Sequence, residues 1–123
     1  MKQLPHRQNL GNYGETIAAE YLTKHGYILI DRNFKARYGE IDLITLQKNT
    51  LIFIEVKTRL GNTYGTPEDA VTPRKIHEVV ITAQYYILLH PELPTSQRID
   101  VIALELNSDR TIRDLRHIKN ITQ

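Results

Sequence analysis

The sequence has no cysteine among its 123 residues, which excludes a disulfide framework and any thiolate metal site. That absence is compatible with a reducing cytoplasm, the expected location. Long apolar runs are missing too. No stretch approaches membrane-spanning length, and residues 1–10 lack the apolar core of a signal peptide, so no membrane partner is expected. A strong charge of one sign is also absent, because the formal net charge of +2 is too small to argue for nucleic acid by itself. With no repeat, low-complexity tract or linker, the 41% hydrophobic and 24% charged content fits one domain that needs no disulfide or structural metal. The expected division is a polar arm over residues 1–10, a single domain over 11–119 and a short tail over 120–123.

The charge that is present is unevenly placed. Arg32, Lys35 and Arg37 cluster in one region, Arg59, Arg74 and Lys75 flank another, and Arg110, Arg113, Arg116 and Lys119 make the C-terminal stretch basic. Each cluster reads either as solvated surface or as part of a phosphate-binding face. The histidines, at 6, 25, 77, 90 and 117, share no ligand spacing and do not suggest zinc.

Periodicity divides the chain into an α/β pattern. Ile17, Ala18, Tyr21 and Leu22 recur at helical spacing within a helix from about Gly11 to His25, and Gly26 is a natural left-handed stop. A short strand over 27–33 precedes a basic turn, Lys35 to Gly39, and a second strand over 40–47. Lys48-Asn49 then reads as a tight turn into a third strand, Thr50 to Thr58, rich in Ile, Leu, Phe and Val. Residues 59–66 read as a loop. Thr72-Pro73 has the form of an N-cap with proline at the first helical position. The helix it opens carries Ile76, Val79, Val80, Ala83, Ile87 and Leu88 on its apolar stripe and ends at His90-Pro91. A fourth strand, Arg98 to Leu106, and a weaker fifth, Ile112 to Ile118, complete the chain. The result is a mixed sheet flanked by helices, with a third-to-fourth strand connection long enough for a parallel crossover.

Chemistry concentrates on the second and third strands. If Lys48 and Asn49 are the turn residues, paired positions bring Asp42 opposite Glu55 and Glu40 opposite Lys57. Like charges directly opposite on a sheet are destabilising unless compensated. A carboxylate pair at the rim of an apolar face either shifts its pKa upward or binds a cation, and hard oxygen ligands suit Mg²⁺ or Mn²⁺. Lys57 reaches the same space and could stabilise a pentavalent phosphate or orient a water. Taken alone, Glu-x-Lys is an ordinary strand ion pair, and a one-residue slip would put Asp42 on the other face. Glu15 can look toward the sheet, although locally it also reads as favourable charge near a helix N-terminus. Gly11 and Gly14 permit close backbone approach, but there is no Gly-Lys-Ser/Thr and no P-loop. Arg37, Arg59 and Lys75 could hold phosphates, and Tyr38 and Tyr64 could stack on bases. Arg98 and Asp100 share a strand face and read as a structural ion pair.

These residues carry a resemblance. Gly14-Glu15, Arg32-Asn33-Phe34, the run Gly39 to Ile44, the run Phe53 to Arg59, Ala70-Val71-Thr72 with Lys75, and Arg98-Ile99-Asp100-Val101 resemble the YraN family of small bacterial proteins. That family is placed in the PD-(D/E)XK nuclease-like superfamily and is similar to archaeal Holliday-junction resolvases. The resemblance spans Gly11 to about Leu106 and implies a restriction-endonuclease-like core. It implies Asp42, Glu55 and the Val56 carbonyl as metal ligands, Lys57 as the catalytic lysine and Glu15 as the helix-borne acid. Ile41 stands where the superfamily's name has proline. The implied activity is Mg²⁺- or Mn²⁺-dependent hydrolysis of DNA or structured nucleic acid, leaving a 5′-phosphate and a 3′-hydroxyl, by a protein that could act as a homodimer. The alternative is a non-catalytic nucleic-acid-binding module serving recombination or repair.

Overall fold

The computed structural model describes residues 9–61 and 65–122. The residue 1–8 part of the polar arm and Tyr64 therefore lie outside the described residues. The elements run α1 (Leu10–Lys24), β1 (Ile28–Ala36), β2 (Gly39–Gln47), β3 (Thr50–Leu60), a short 3₁₀ turn (Pro67–Ala70), α2 (Pro73–Leu89), β4 (Gln97–Leu106) and β5 (Ile112–Ile118). The strands form one five-stranded sheet in sequence order, antiparallel except for the β3–β4 pair, which the α2 crossover makes parallel. This is the mixed sheet of a restriction-endonuclease-like core. Among the described residues no helix is long and apolar enough to cross a membrane.

Each helix covers one face. Ala18 and Leu22 of α1 pack with Leu43, Ile52, Ile54, Val56 and Ile102. Val79, Ala83 and Tyr86 of α2 pack on the opposite face with Ile44, Leu51, Phe53 and Ile99. Strand alternation on β3 thus sends even-numbered residues toward α1 and odd-numbered ones toward α2. The buried stripe of α2 is Val79, Thr82, Ala83 and Tyr86. Leu88, expected on that stripe, is 79% exposed, because it falls on the flank turned away from the sheet.

Thr72 caps α2 by accepting the Lys75 N–H at 3.2 Å, with Pro73 in the first turn. The Lys48 turn forms with Lys48 at φ 55, and Gln47 pairs with Thr50. Two strands run further than their sequence limits. β1 continues to Ala36 and β3 to Leu60, because ladder partners Lys35–Glu40 and Arg59–Glu105 extend the pairing into segments whose composition reads as loop. The basic turn shrinks to Arg37 and Tyr38, and Arg59 is a strand residue.

Candidate active site

The β2–β3 ladder keeps one register from Gln47–Thr50 to Leu43–Ile54 and then stops. The next position is Asp42. It is not a ladder partner of Glu55; its carboxylate oxygen instead accepts the Val56 N–H at 2.8 Å. The cause is a break in alternation on β2. Ile41 and Ile44 both belong to the α2-side core, whereas Leu43 lies on the α1 side, so the strand turns at Asp42 and leaves a gap beside Val56. In an extended chain the N–H and C=O of one residue point to the same edge. Leu51 donates toward Ser96 on the β4 side, so Val56, of opposite parity, presents both groups to the β2 side, at the gap.

Glu55 is 2% exposed. Its Oε2 is 3.4 Å from Lys57 Nζ and 3.7 Å from Lys75 Nζ, while its Oε1 is buried without a hydrogen-bond partner. Burial first, and then the charge of Asp42, push the Glu55 carboxyl up to about 7 against the pull of Lys75 and Lys57. Burial also raises Asp42, with the Val56 N–H, a hydrogen bond shared with the Glu55 carboxyl and then Lys57 working the other way. Lys57 pairs with Glu55 and makes no ion pair with Glu40, contrary to the expected facing pair, because the ladder has ended before that position. Lys75, expected on the flank, stands inside the site because its place in the first turn of α2 aims it at β3.

Glu15 approaches from the α1 side. Gly14 makes that approach possible, since a Cβ at residue 14 would lie 1.9 Å from Thr58 Oγ1. Arg32 clamps the helix from β1, with Nη2 donating to the Asn12 carbonyl and to Thr16 Oγ1 at 3.0 Å each and Nε 3.5 Å from Glu15 Oε1. Burial and then the Asp42 charge raise the Glu15 pKa. Glu15 does not close a cage, for among the described residues no three His, Asp or Glu side chains converge into a ready-made metal site. Asp42 and Glu55 remain a two-carboxylate pair, which is the protein donor set that Mg²⁺ accepts when water and phosphate oxygens complete its shell.

The other expected contacts divide. Arg37 and Tyr38 form the exposed β1–β2 turn, with Arg37 Cζ 5.4 Å over the Tyr38 ring. They border a depression that also includes Lys35, Glu40 and Lys75. Arg59 is half-buried two residues beyond Lys57 on β3. Arg116 is enclosed by Glu68, Glu105 and Asp114, so this member of the basic C-terminal stretch is already neutralised. Its hydrogen bonds hold Glu68 down to about 2 and tie the 3₁₀ turn to β4 and β5. Asp100, fully buried, takes Arg98, His117 and the Asn120 N–H, which makes the structural pair expected on β4 part of a larger anchor for β5. The Arg32 clamp carries no local signal in the sequence, where Lys35 and Arg37 beside it make Arg32 read as one member of a basic surface cluster.

The family model described as "Uncharacterised protein family UPF0102" matches residues 14–104. A UPF0102 protein of Clostridium botulinum (strain Loch Maree / Type A3) is 44% identical over 119 residues, covering 94% of this chain and 95% of that protein. Another, from Caldanaerobacter subterraneus subsp. tengcongensis, is 42% identical over 115 residues, covering 93% of this chain and 94% of that protein. The match encloses Glu15, Asp42, Glu55, Lys57 and Lys75 together, and the chain belongs to the UPF0102 (YraN) family.

Proposed function

We propose that this protein is a Mg²⁺- or Mn²⁺-dependent endonuclease that hydrolyses phosphodiester bonds in DNA or structured nucleic acid in the manner of a resolvase. One observation carries the reading: two buried carboxylates, Asp42 and Glu55, meet at the gap between β2 and β3, and Glu55 Oε1 is left without a partner. Burying two acids side by side, with one carboxylate oxygen left unsatisfied, costs stability and serves no packing purpose. An oxygen-lined gap beside two lysines fits a hard cation and a phosphate. Asp42, Glu55 and the Val56 carbonyl would hold the ion, which when bound supplies Lewis acidity to the phosphate and lowers the pKa of a water.

The remaining chemistry belongs to the chain. Lys57 Nζ orients the attacking water and holds charge that builds on the phosphate oxygens as the P–O3′ bond breaks. Lys75 holds a neighbouring phosphate at the positive end of α2. Glu15 adds negative charge near Asp42 and strengthens the attraction for a cation. The test is nucleic-acid cleavage with Mg²⁺, Mn²⁺ or EDTA. Metal-dependent products ending in 5′-phosphate and 3′-hydroxyl support the reading. Binding that is salt-sensitive, with no cleavage under any metal, overturns it in favour of a non-catalytic binding module.

A further inference from the structure

A groove of about 500 Å³ lies between the β1–β2 turn and α2. Its lining includes two tyrosines, Tyr38 and Tyr85, 55% and 47% exposed. Ala36, Ile81 and Gln84 also line it. Tyr85 also contacts Phe34, ring centroids 6.4 Å apart. Lys35, Arg37 and Tyr38 line both this groove and the depression that runs to Lys75, and Lys75 Nζ is 3.7 Å from Glu55. The path from the carboxylate pair to the groove thus carries three cations, Lys35, Arg37 and Lys75, against one acid, Glu40.

We propose that this groove seats an unpaired nucleobase a few nucleotides from the cleaved phosphodiester, since Tyr85 lies about 15 Å along α2 from Lys75, so that the substrate class is nucleic acid with single-stranded character next to the cleavage point. The inference rests on the nuclease reading above and deepens it. A nucleobase is a flat apolar body with a polar edge, joined to an anionic backbone. Two exposed rings supply stacking surface, Gln84 supplies a donor and an acceptor for the edge, and Lys35 and Arg37 meet the phosphates. In a continuous duplex both base faces are covered by neighbours, so the groove would stay empty. The cationic rim favours a polyanion over a neutral or acidic-rimmed partner surface.

Fluorescence anisotropy in EDTA tests this, using a labelled splayed-arm DNA and its fully paired counterpart with wild type, Tyr85→Ala and Tyr85→Phe. Tyr85 makes no contact with the carboxylate pair and is half exposed, and circular dichroism checks each variant's fold. Wild type is expected to prefer the splayed arm. Tyr85→Ala should weaken splayed-arm binding about tenfold, leave duplex binding within about twofold, and Tyr85→Phe should keep the preference. A 2-aminopurine at the first unpaired position should be quenched by wild type and not by Tyr85→Ala. Equal wild-type binding to both substrates, or a Tyr85→Ala loss shared equally between them, overturns the proposal. Cleavage of the same DNAs in a parallel assay with Mg²⁺ or Mn²⁺, with the binding preference unchanged in Tyr85→Ala, defeats the groove alone. Absence of both binding and cleavage defeats the nuclease reading as well.

Discussion

The Asp42 carboxylate accepts the Val56 N–H at 2.8 Å, so a side chain of β2 holds β3 where the backbone ladder has ended. The bond has two separable parts, a hydrogen-bond acceptor and a charge. Asp42→Asn can keep the acceptor while removing the charge, and is expected to fold with stability close to wild type. Asp42→Ala orphans a buried N–H and should cost about 1–3 kcal/mol, read as a fall in denaturation midpoint. Both should lose metal-dependent cleavage by at least about a hundredfold. An active Asp42→Asn would mean that the carboxylate is structural only.

Glu55 links the site to pH. Its carboxyl rises from an ordinary 4.5 to about 7, so the folded state binds the proton more tightly than the unfolded state does. Stability from this group is therefore fully present below about pH 4 and declines as pH rises toward 7, by roughly 3 kcal/mol in all. Glu55→Gln should match wild type near pH 4 and be the more stable protein above pH 7, by a similar amount, in urea unfolding with EDTA present. A gap of constant size at every pH would contradict the assignment. Added Mg²⁺ should stabilise wild type above pH 7 and leave Glu55→Gln unmoved.

The two lysines on Glu55 should separate kinetically. Lys57→Ala is expected to lower kcat by about two to three orders of magnitude with little change in binding. Lys75→Ala should weaken nucleic-acid binding and reduce the salt dependence by about one phosphate contact. Single-turnover rates beside anisotropy titrations distinguish them.

Gly14 sets how closely α1 lies on β3. A Cβ there meets Thr58 Oγ1 at 1.9 Å, Thr58 Cβ at 2.9 Å and Thr58 Cγ2 at 3.2 Å. Gly14→Ala should destabilise the fold by about 1–3 kcal/mol despite the better helix propensity of alanine. Adding Thr58→Ala removes two of those contacts and should recover part of the loss. Recovery in thermal melts would tie the cost to this contact.

Much of this arrangement was legible in the sequence because it depends on local rules. The Lys48-Asn49 turn sets the β2–β3 register, Thr72-Pro73 starts α2, and apolar periodicity places the two helices on the sheet. Three features depend on contacts that no local pattern carries. The turn of β2 at Asp42 comes from two core clusters competing for Ile41 and Leu43. The extension of β3 through Arg59 depends on pairing with Glu105 nearly fifty positions away. The enclosure of Arg116 needs Glu68, from a turn packed over β4. Lys75 lies between these cases, since its capped first-turn position was readable but its reach to Glu55 was not.

Asp42, Glu55 and Lys57 are proposed to form a metal-dependent hydrolytic site. The most direct measurement is cleavage of labelled four-way junction, flap, single-stranded and duplex DNA with Mg²⁺ or Mn²⁺, comparing wild type with folded Glu55→Ala and Lys57→Ala. The expected result is metal-dependent cutting by wild type that both variants lose. Cutting that persists unchanged in Glu55→Ala, or no cutting of any substrate by a wild-type protein that still binds them, would contradict it.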